Sequence, residues 1–284
     1  MKLIVDNGST KADWCFIDND GLCCTVSTSG INPIVQQKDQ IEEILKKQLV
    51  PQAGKMDLCT NNVSDIFFYG AGCTPNEKGP MTEILRKSIS NGANIEVESD
   101  LLGAARALCG HSKGIVCILG TGANSCLFDG EKITAHTPAL GYILGDEGSG
   151  AVLGRNFINA ILKGSLPHSL CEEFLKENHL AVSDILYNVY KGDAPNRFLA
   201  STSRFILQHI NNNGVEQLVT DNFTNFIEKN ITPYKTSYTT LHAVGSIAYF
   251  FRPQLEKAAN SKGYEIGKIL RNPVSELANY HKGS

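Results

Sequence analysis

Short apolar runs that end in glycine-containing polar turns alternate along the chain with segments of helical periodicity. Residues 3–5 predict a buried strand and residues 12–17 its return strand, with a polar turn between them. The same pattern recurs at 114–120 and 125–130. One such hairpin in each half of the chain indicates a duplicated architecture.

The periodicity of the remaining segments predicts the other elements. Apolar spacing predicts helices over 39–50 and 81–90, and a helix that begins at Asp100 after a strand over 94–99. Further strands are predicted over 22–28, 65–72 and 240–246, and further helices from Glu147, through most of 169–231, after 246 and over 275–282.

Strands and helices alternate in both halves, which favours α/β sheets covered by helices. We expect an N-terminal lobe of residues 1–108 and a C-terminal lobe of residues 109–284. The final helix, about 273–284, is a candidate for packing back on the N-terminal lobe.

Composition limits the classes of partner. The 284-residue chain has a formal net charge of −3, so charge gives no reason to expect nucleic acid or a membrane surface as partner. Three apolar residues precede the first polar turn, too few for a signal peptide, and no apolar run reaches about 18 residues. The nine cysteines include no CxxC pair and the histidines no HExxH. We therefore expect a cytoplasmic protein with reduced thiols and no protein-bound zinc.

Three glycine turns carry the candidate chemistry, at 6–11 (DNGSTK), 120–124 (GTGAN) and 244–248 (VGSIA). The first combines an acid, a glycine, two hydroxyls and a lysine, a set that suits a phosphate group. Each turn also has an ordinary structural interpretation, as a hairpin turn or as a glycine entry to a helix. None matches the P-loop or the dinucleotide fingerprint.

The ordered set is more informative than any one turn. The motifs DNGSTKADW, GTGANS and AVGSIAYFF resemble the phosphate-1, phosphate-2 and adenosine motifs of the actin-like sugar kinase and Hsp70 superfamily. With SDLLGAARAL and LGDEGSG, the chain is similar to the BadF/BadG/BcrA/BcrD ATPase family and its N-acetylglucosamine kinase relatives. The resemblance implies a two-lobed actin-like (ribonuclease H-like) ATPase fold, each lobe a mixed sheet with flanking helices, with a nucleotide cleft between the lobes.

The implied activity is ATP-dependent phosphorylation of an amino sugar, with N-acetylglucosamine as the first candidate for the acceptor. Asp100 matches the family's general base, although Ser99-Asp100 is also good helix-capping sequence. Asp6 matches the acid that holds Mg²⁺ through water. The implied nucleotide contacts are Gly8, Ser9, Thr10, Lys11, Gly120, Thr121 and Gly122 at the phosphates, and Gly245 and Ser246 at the adenosine.

The implied acceptor contacts are Asn32, Asn124 and Asp146. Asn32 can equally serve its own loop as an Asx-turn, and Asp146 can be part of a helix start. Relatives are often dimers, so analogy alone suggests a homodimer.

Two departures from the family pattern keep alternatives open. Asn7 replaces the first of two glycines in the first motif, and residues 138–141 (PALG) stand where the kinases have Gly-Gly-Trp-Gly. Glucosamine is therefore an alternative acceptor. An ATPase that activates a partner enzyme through an iron–sulfur cluster, and a non-catalytic sensor, are further alternatives.

Overall fold

Two mixed five-stranded sheets organise the chain. The computed structural model describes residues 1–8, 10–18, 21 and 23–282, without the Cys23 side chain. It divides into one unit of Met1–Ser112 with the segment from Asn272, and a second unit of Lys113–Arg271. The fold-class prediction of mixed sheets with flanking helices is confirmed.

The sheet of the first unit has the strand order β3-β2-β1-β4-β5. Its strands are β1 (Lys2–Asn7), β2 (Lys11–Ile17), β3 (Cys23–Ser29), β4 (Asp65–Gly70) and β5 (Asn94–Ser99). β1, β2 and β3 pair antiparallel, whereas β4 and β5 run parallel to β1. Leu22, predicted to begin β3, lies outside the described residues.

Alternation along β1 divides its side chains between two buried faces. Leu3 and Val5 are fully buried in one cluster with Trp14 and Phe68, and Ile4, on the opposite face, is equally buried. The helices of this part of the chain are α1 (Lys38–Ile44), continued by a π-helical turn (Leu45–Leu49), α2 (Val50–Gly54), α3 (Pro75–Ser88) and α4 (Asp100–Cys109), with a 3-10 turn at Thr60–Asn62.

The second sheet repeats the topology of the first, with the order β10-β9-β6-β7-β8. Its strands are β6 (Gly114–Leu119), β7 (Ala123–Phe128), β8 (Ile133–Thr137), β9 (Thr240–Val244) and β10 (Glu265–Leu270). β6, β7 and β8 pair antiparallel, and β9 and β10 run parallel to β6. The duplicated architecture predicted from the two hairpins is thus present.

Helices of the second unit surround a core that includes Phe157, Phe174, Phe205 and Phe223. They are α5 (Gly141–Leu144), α6 (Gly150–Leu162), α7 (His168–Glu177), α8 (Val182–Tyr190), α9 (Pro195–Ser201), α10 (Ser203–Gln208), α11 (Asn213–Phe226), α12 (Ser246–Phe250) and α13 (Arg252–Ser261). A π-helical turn (Ile227–Ile231) and a 3-10 turn (Thr232–Tyr234) follow α11. Across the described residues, no helix combines the length and apolar character needed to cross a membrane.

The start of α6 differs from the predicted start at Glu147. The backbone of Asp146 and Gly148 has positive φ, 53° and 82°, which is incompatible with a right-handed helix. Ser149 caps the helix instead, because its Oγ accepts a hydrogen bond from the Val152 N–H at 3.1 Å. The acids of the GDEGSG segment therefore lie in a loop before the helix.

The last helix, α14 (Val274–Lys282), packs on α4, β1 and β2 of the first unit. The buried His281 ring stacks on Phe67, with ring centroids 3.8 Å apart, and its Nε2 lies 2.8 Å from the Tyr69 hydroxyl. Arg106 donates to the same hydroxyl at 2.5 Å and pairs with Glu96 at 2.6 Å. A buried polar network thus anchors the end of the chain.

We expect this network to weaken in mild acid. Burial, and next the Arg106 charge, lower the pKa of His281 to about 4 from the ordinary value of 6.5, partly opposed by Glu96. The unfolded chain binds the proton first, so His281 contributes stability at neutral pH that is lost as pH falls from about 6.5 toward about 4. Between about pH 7.5 and about pH 5, wild type should lose about 2 kcal/mol more unfolding free energy than His281→Gln, measured by urea denaturation.

The comparison isolates His281 because other titrating groups are common to both proteins. The matched control is His168→Gln, since the His168 side chain is 83% exposed, and it should follow wild type at both pH values. Equal pH dependence of wild type and His281→Gln would contradict the prediction.

Candidate functional site

The first glycine turn is held against a neighbouring loop by Asn7. This side chain is fully buried, donating from Nδ2 to the Ile31 carbonyl at 2.7 Å and accepting from the Ile31 N–H at 2.8 Å. Asn7 therefore has a structural task at the position where relatives carry glycine. In the turn itself, the Gly8 N–H donates to the Lys11 carbonyl at 2.9 Å, and Thr10 is exposed. Ser9 lies outside the described residues.

Asp6 lies directly opposite Asp13 in the β1–β2 ladder. Asp13 is 6% exposed and is satisfied by two partners, Lys11 Nζ at 2.8 Å and Ser27 Oγ at 2.6 Å. Asp13 is not among the site residues predicted from the sequence. Its position could have been found from the predicted hairpin, because a cross-strand partner of Asp6 must lie on the same face of the sheet.

Asp100 follows β5, and Asp6 lies near the end of β1, so both belong to the carboxyl-end edge of the parallel strands. Ser99 is the N-cap of α4, since its Oγ accepts from the Leu102 N–H at 3.3 Å. The Asp100 Oδ1 accepts the adjacent Leu101 N–H at 2.8 Å. The capping interpretation considered for Ser99-Asp100 thus applies to Ser99.

Both carboxyl groups are poised to gain or lose a proton near neutrality. Burial, followed by repulsion from Asp13 and Asp100, raises the pKa of Asp6 to about 7, with Lys11 partly opposing. Burial raises the pKa of Asp100 to about 6, opposed by the Leu101 N–H. Such shifts are common where carboxylates act as bases or meet a cation.

The same carboxylates fit a hydrated magnesium ion. Mg²⁺ keeps several waters and is often bound by one or two carboxylates together with substrate phosphates. Among the described residues, no group of three or more His, Cys, Asp or Glu side chains is arranged to hold a metal ion. The repulsion that Asp13 and Asp100 exert on Asp6 is the kind of charge excess that a nearby cation relieves.

The second glycine turn rests on the start of α6. The Gly150 N–H donates to the Gly120 carbonyl at 2.8 Å, and the Ala151 N–H to the Thr121 carbonyl at 3.1 Å. A Cβ on Gly122 would lie 3.1 Å from Asp146 Oδ2, so the turn and the GDEGSG loop are in close approach.

The third turn adjoins the second, because β6 and β9 are parallel neighbours whose carboxyl ends meet. Gly245 has φ of 123°, and a Cβ there would overlap the Leu119 carbonyl and lie 3.2 Å from the Gly120 nitrogen. Only glycine fits this conformation and this approach. Ser246, the first residue of α12, is exposed.

The predicted acceptor residues are in different local settings. The Asn32 Oδ1 accepts from the Ile34 N–H at 3.1 Å, the Asx-turn considered above. Burial raises the pKa of Asp146, and the backbone N–H groups of Ala123 and Gly141 oppose that rise. Asp146 therefore joins the second glycine turn to the start of α5.

Two features near Asp146 were not predicted. The Asn124 Oδ1 lies 2.9 Å from Nε2 of His136, a residue on a strand that the periodicity did not indicate. The segment that departs from the kinase pattern leads into α5, where Leu140, Ile143 and Leu144 are 58%, 71% and 75% exposed. Leu140 stands where the kinase pattern has tryptophan.

Comparison with known proteins places the chain among sugar kinases. A crystal structure of a candidate N-acetylglucosamine kinase from Porphyromonas gingivalis shares 45% sequence identity, covers 100% of this chain and 99% of that one, and has a TM-score of 0.95. A glucokinase of the ROK family from Streptomyces griseus, solved with glucose and AMPPNP, shares 12% identity over 99% of this chain and 100% of its own, with a TM-score of 0.60. The latter likeness is one of fold.

A curated N-acetylmuramic acid/N-acetylglucosamine kinase from Clostridium acetobutylicum is 27% identical over 180 residues, 60% of this chain. The match spans 57% of that relative's length. No protein-family profile matches the chain. The near-complete match at 45% identity nevertheless shows that the chain belongs to the N-acetylglucosamine kinase-like family of the actin-like ATPase and sugar kinase superfamily.

Proposed function

We propose that the protein transfers the γ-phosphoryl group of ATP to a hydroxyl of an amino sugar, most simply N-acetylglucosamine. The observation that carries this proposal is the pair of acids at one sheet edge, Asp6 and Asp100, both with pKa raised toward neutrality. Phosphoryl transfer to a hydroxyl requires both a metal-binding acid and a carboxylate near the acceptor O–H.

Asp100 is the proposed general base. Ser99, and not Asp100, caps α4, so the cap does not occupy the Asp100 carboxylate that we propose accepts the proton of the acceptor hydroxyl. A pKa of about 6 lets it be ionised at neutral pH and still basic enough to take a proton.

Asp6 is the proposed magnesium residue, acting through water. When bound, Mg²⁺ neutralises charge on the transferred phosphoryl group. Lys11 and the turn amides would add further positive groups toward the phosphates. The proposed phosphate contacts are Gly8, Ser9, Thr10, Lys11, Gly120, Thr121 and Gly122, and those at the adenosine are Gly245 and Ser246.

Asn32, Asn124 and Asp146 are the proposed acceptor contacts. Side chains that pair with sugar hydroxyls discriminate strongly against analogues that lack them. Two relatives support the choice of acceptor, since the names of both include N-acetylglucosamine. We also propose a cytoplasmic location, because nine cysteines without a CxxC pair suit reduced thiols.

The test is ADP release from Mg²⁺-ATP over a panel of N-acetylglucosamine, glucosamine, N-acetylmuramic acid, N-acetylmannosamine and glucose. We expect turnover that depends on both sugar and magnesium, with N-acetylglucosamine the best acceptor. Turnover with glucosamine alone would select that alternative acceptor. Sugar binding by calorimetry without turnover would indicate a sensor, and iron retained after anaerobic purification would indicate an activator.

A further inference from the structure

His136 and Asn124 form a side-chain pair at the edge of the second sheet. Asn124 lies on β7 and His136 on β8, and the ladder pairs Cys126 with His136. Asn124 and Cys126 project to the same face, so His136 is a diagonal neighbour of Asn124, within reach of a long side chain. The Asn124 Oδ1 and His136 Nε2 are 2.9 Å apart.

This contact defines the orientation of the Asn124 amide. Its Oδ1 also accepts the Ser125 N–H at 2.9 Å, so two donors converge on one oxygen. Because an amide oxygen only accepts, His136 must carry its hydrogen on Nε2. The opposite assignment would place an NH₂ group against the Ser125 N–H, which is repulsive.

The amide nitrogen is consequently the end of Asn124 that remains available. Within the part of the chain that the structure describes, Asn124 Nδ2 has no hydrogen-bond partner. Asn124 is itself one of the residues proposed to bind the acceptor, and the preceding residue, Ala123, donates its N–H to Asp146, another of them.

We infer that His136 is a positioning residue that fixes the Asn124 amide as a hydrogen-bond donor to an oxygen atom of the acceptor sugar. This inference rests on the proposed function. A fixed NH₂ group can meet a hydroxyl or carbonyl oxygen, whereas an ammonium group has no lone pair to offer. The subsite at Asn124 therefore selects a sugar oxygen and disfavours a protonated amine.

The first experiment compares His136→Ala with His136→Gln in the full chain. Loss of the fixed donor in His136→Ala should raise the KM for N-acetylglucosamine about tenfold, the equivalent of one hydrogen bond, with kcat and the KM for ATP within about twofold. The Gln amide can donate in place of Nε2–H, so His136→Gln should restore most of the sugar affinity.

Thr134→Ala is the matched control, because Thr134 is exposed on the same strand, and its hydroxyl donates weakly, at 3.4 Å, to the Leu127 carbonyl. It should leave all three kinetic constants and the melting temperature unchanged. A role of His136 in stabilising the edge strand alone would lower the melting temperature without splitting KM from kcat, and that result would overturn the inference.

A double-mutant cycle tests whether His136 acts through Asn124. In an Asn124→Ala background, His136→Ala should have no further effect on the KM for the sugar. Fully additive effects would overturn the inference.

The experiments distinguish a failure of the proposed function from a failure of the role proposed for His136. Wild-type turnover with an unchanged sugar KM in His136→Ala overturns the role of His136 alone. A wild-type protein that neither turns over nor binds any sugar of the panel overturns the proposed function, and the role of His136 with it.

Discussion

Replacing Asp100 by Asn is expected to lower kcat by about 10²–10⁴-fold, the range for removal of a general base. The amide keeps the size of the carboxylate and can still accept the Leu101 N–H that Asp100 accepts at 2.8 Å. It cannot take a proton from the acceptor hydroxyl. The dissociation constant for ATP, measured by calorimetry, should change by less than about threefold.

The matched control is Glu98→Gln, an acid two residues earlier whose carboxylate pairs with Lys78 at 2.6 Å. It should keep kcat within about twofold, since Glu98 has an ionic partner and no proposed role in chemistry. Wild-type kcat should also fall as pH drops through about 6, where the Asp100 carboxylate becomes protonated. Retention of wild-type kcat in Asp100→Asn would rule out Asp100 as the base.

The same substitution is expected to stabilise the fold. Burial raises the pKa of Asp100 to about 6, so the ionised form is disfavoured in the folded chain. The folded chain binds this proton more tightly than the unfolded chain does. Proton binding to Asp100 therefore adds to the free energy of unfolding at low pH, and this contribution is lost as pH rises from about 4 to about 6. At neutral pH the uncharged Asn should therefore give a higher melting temperature than wild type, a common trade-off at active sites.

Replacing Gly154 by Ala is expected to destabilise the second unit by about 3 kcal/mol or more, because the added methyl has no space. Gly154 lies in α6 where it crosses α9, and a Cβ there would overlap the Leu199 carbonyl and crowd Thr202 Oγ1. Thr202 is 4% exposed and its Oγ donates to the same carbonyl at 2.7 Å, so neither group can move aside cheaply.

The control is Gly54→Ala at the exposed end of α2, where nothing lies within 4 Å of an added Cβ. That change should be neutral or stabilising by up to about 1 kcal/mol, because alanine has the higher helix propensity. Urea denaturation measures the free energy of unfolding of both variants. A Gly154→Ala protein as stable as wild type would mean that α6 and α9 are further apart than the structure has them.

Local sequence signals were sufficient to predict the elements that are buried or bounded by turns. The hairpin strands β1, β2, β6 and β7 were predicted because each is an apolar run beside a glycine turn. The two edge strands of the second sheet gave no such signal. β8 and β10 are only partly buried, so their sequences alternate weakly and neither strand was predicted.

The residues of the candidate site likewise fall into those that local sequence signals predicted and those that they did not. Local patterns placed Asp6, Asp100 and the glycine turns at the ends of predicted strands, and the resemblance to the sugar kinases implied the roles of the two acids. Contacts between distant segments depend on register, which local patterns do not contain. Strand β8, for example, brought His136 to Asn124. The sequence by itself determined which chemical groups lie at the ends of the strands. The tertiary structure decided which of these groups lie close enough to shift each other's pKa or to form hydrogen bonds, because both effects depend on distance.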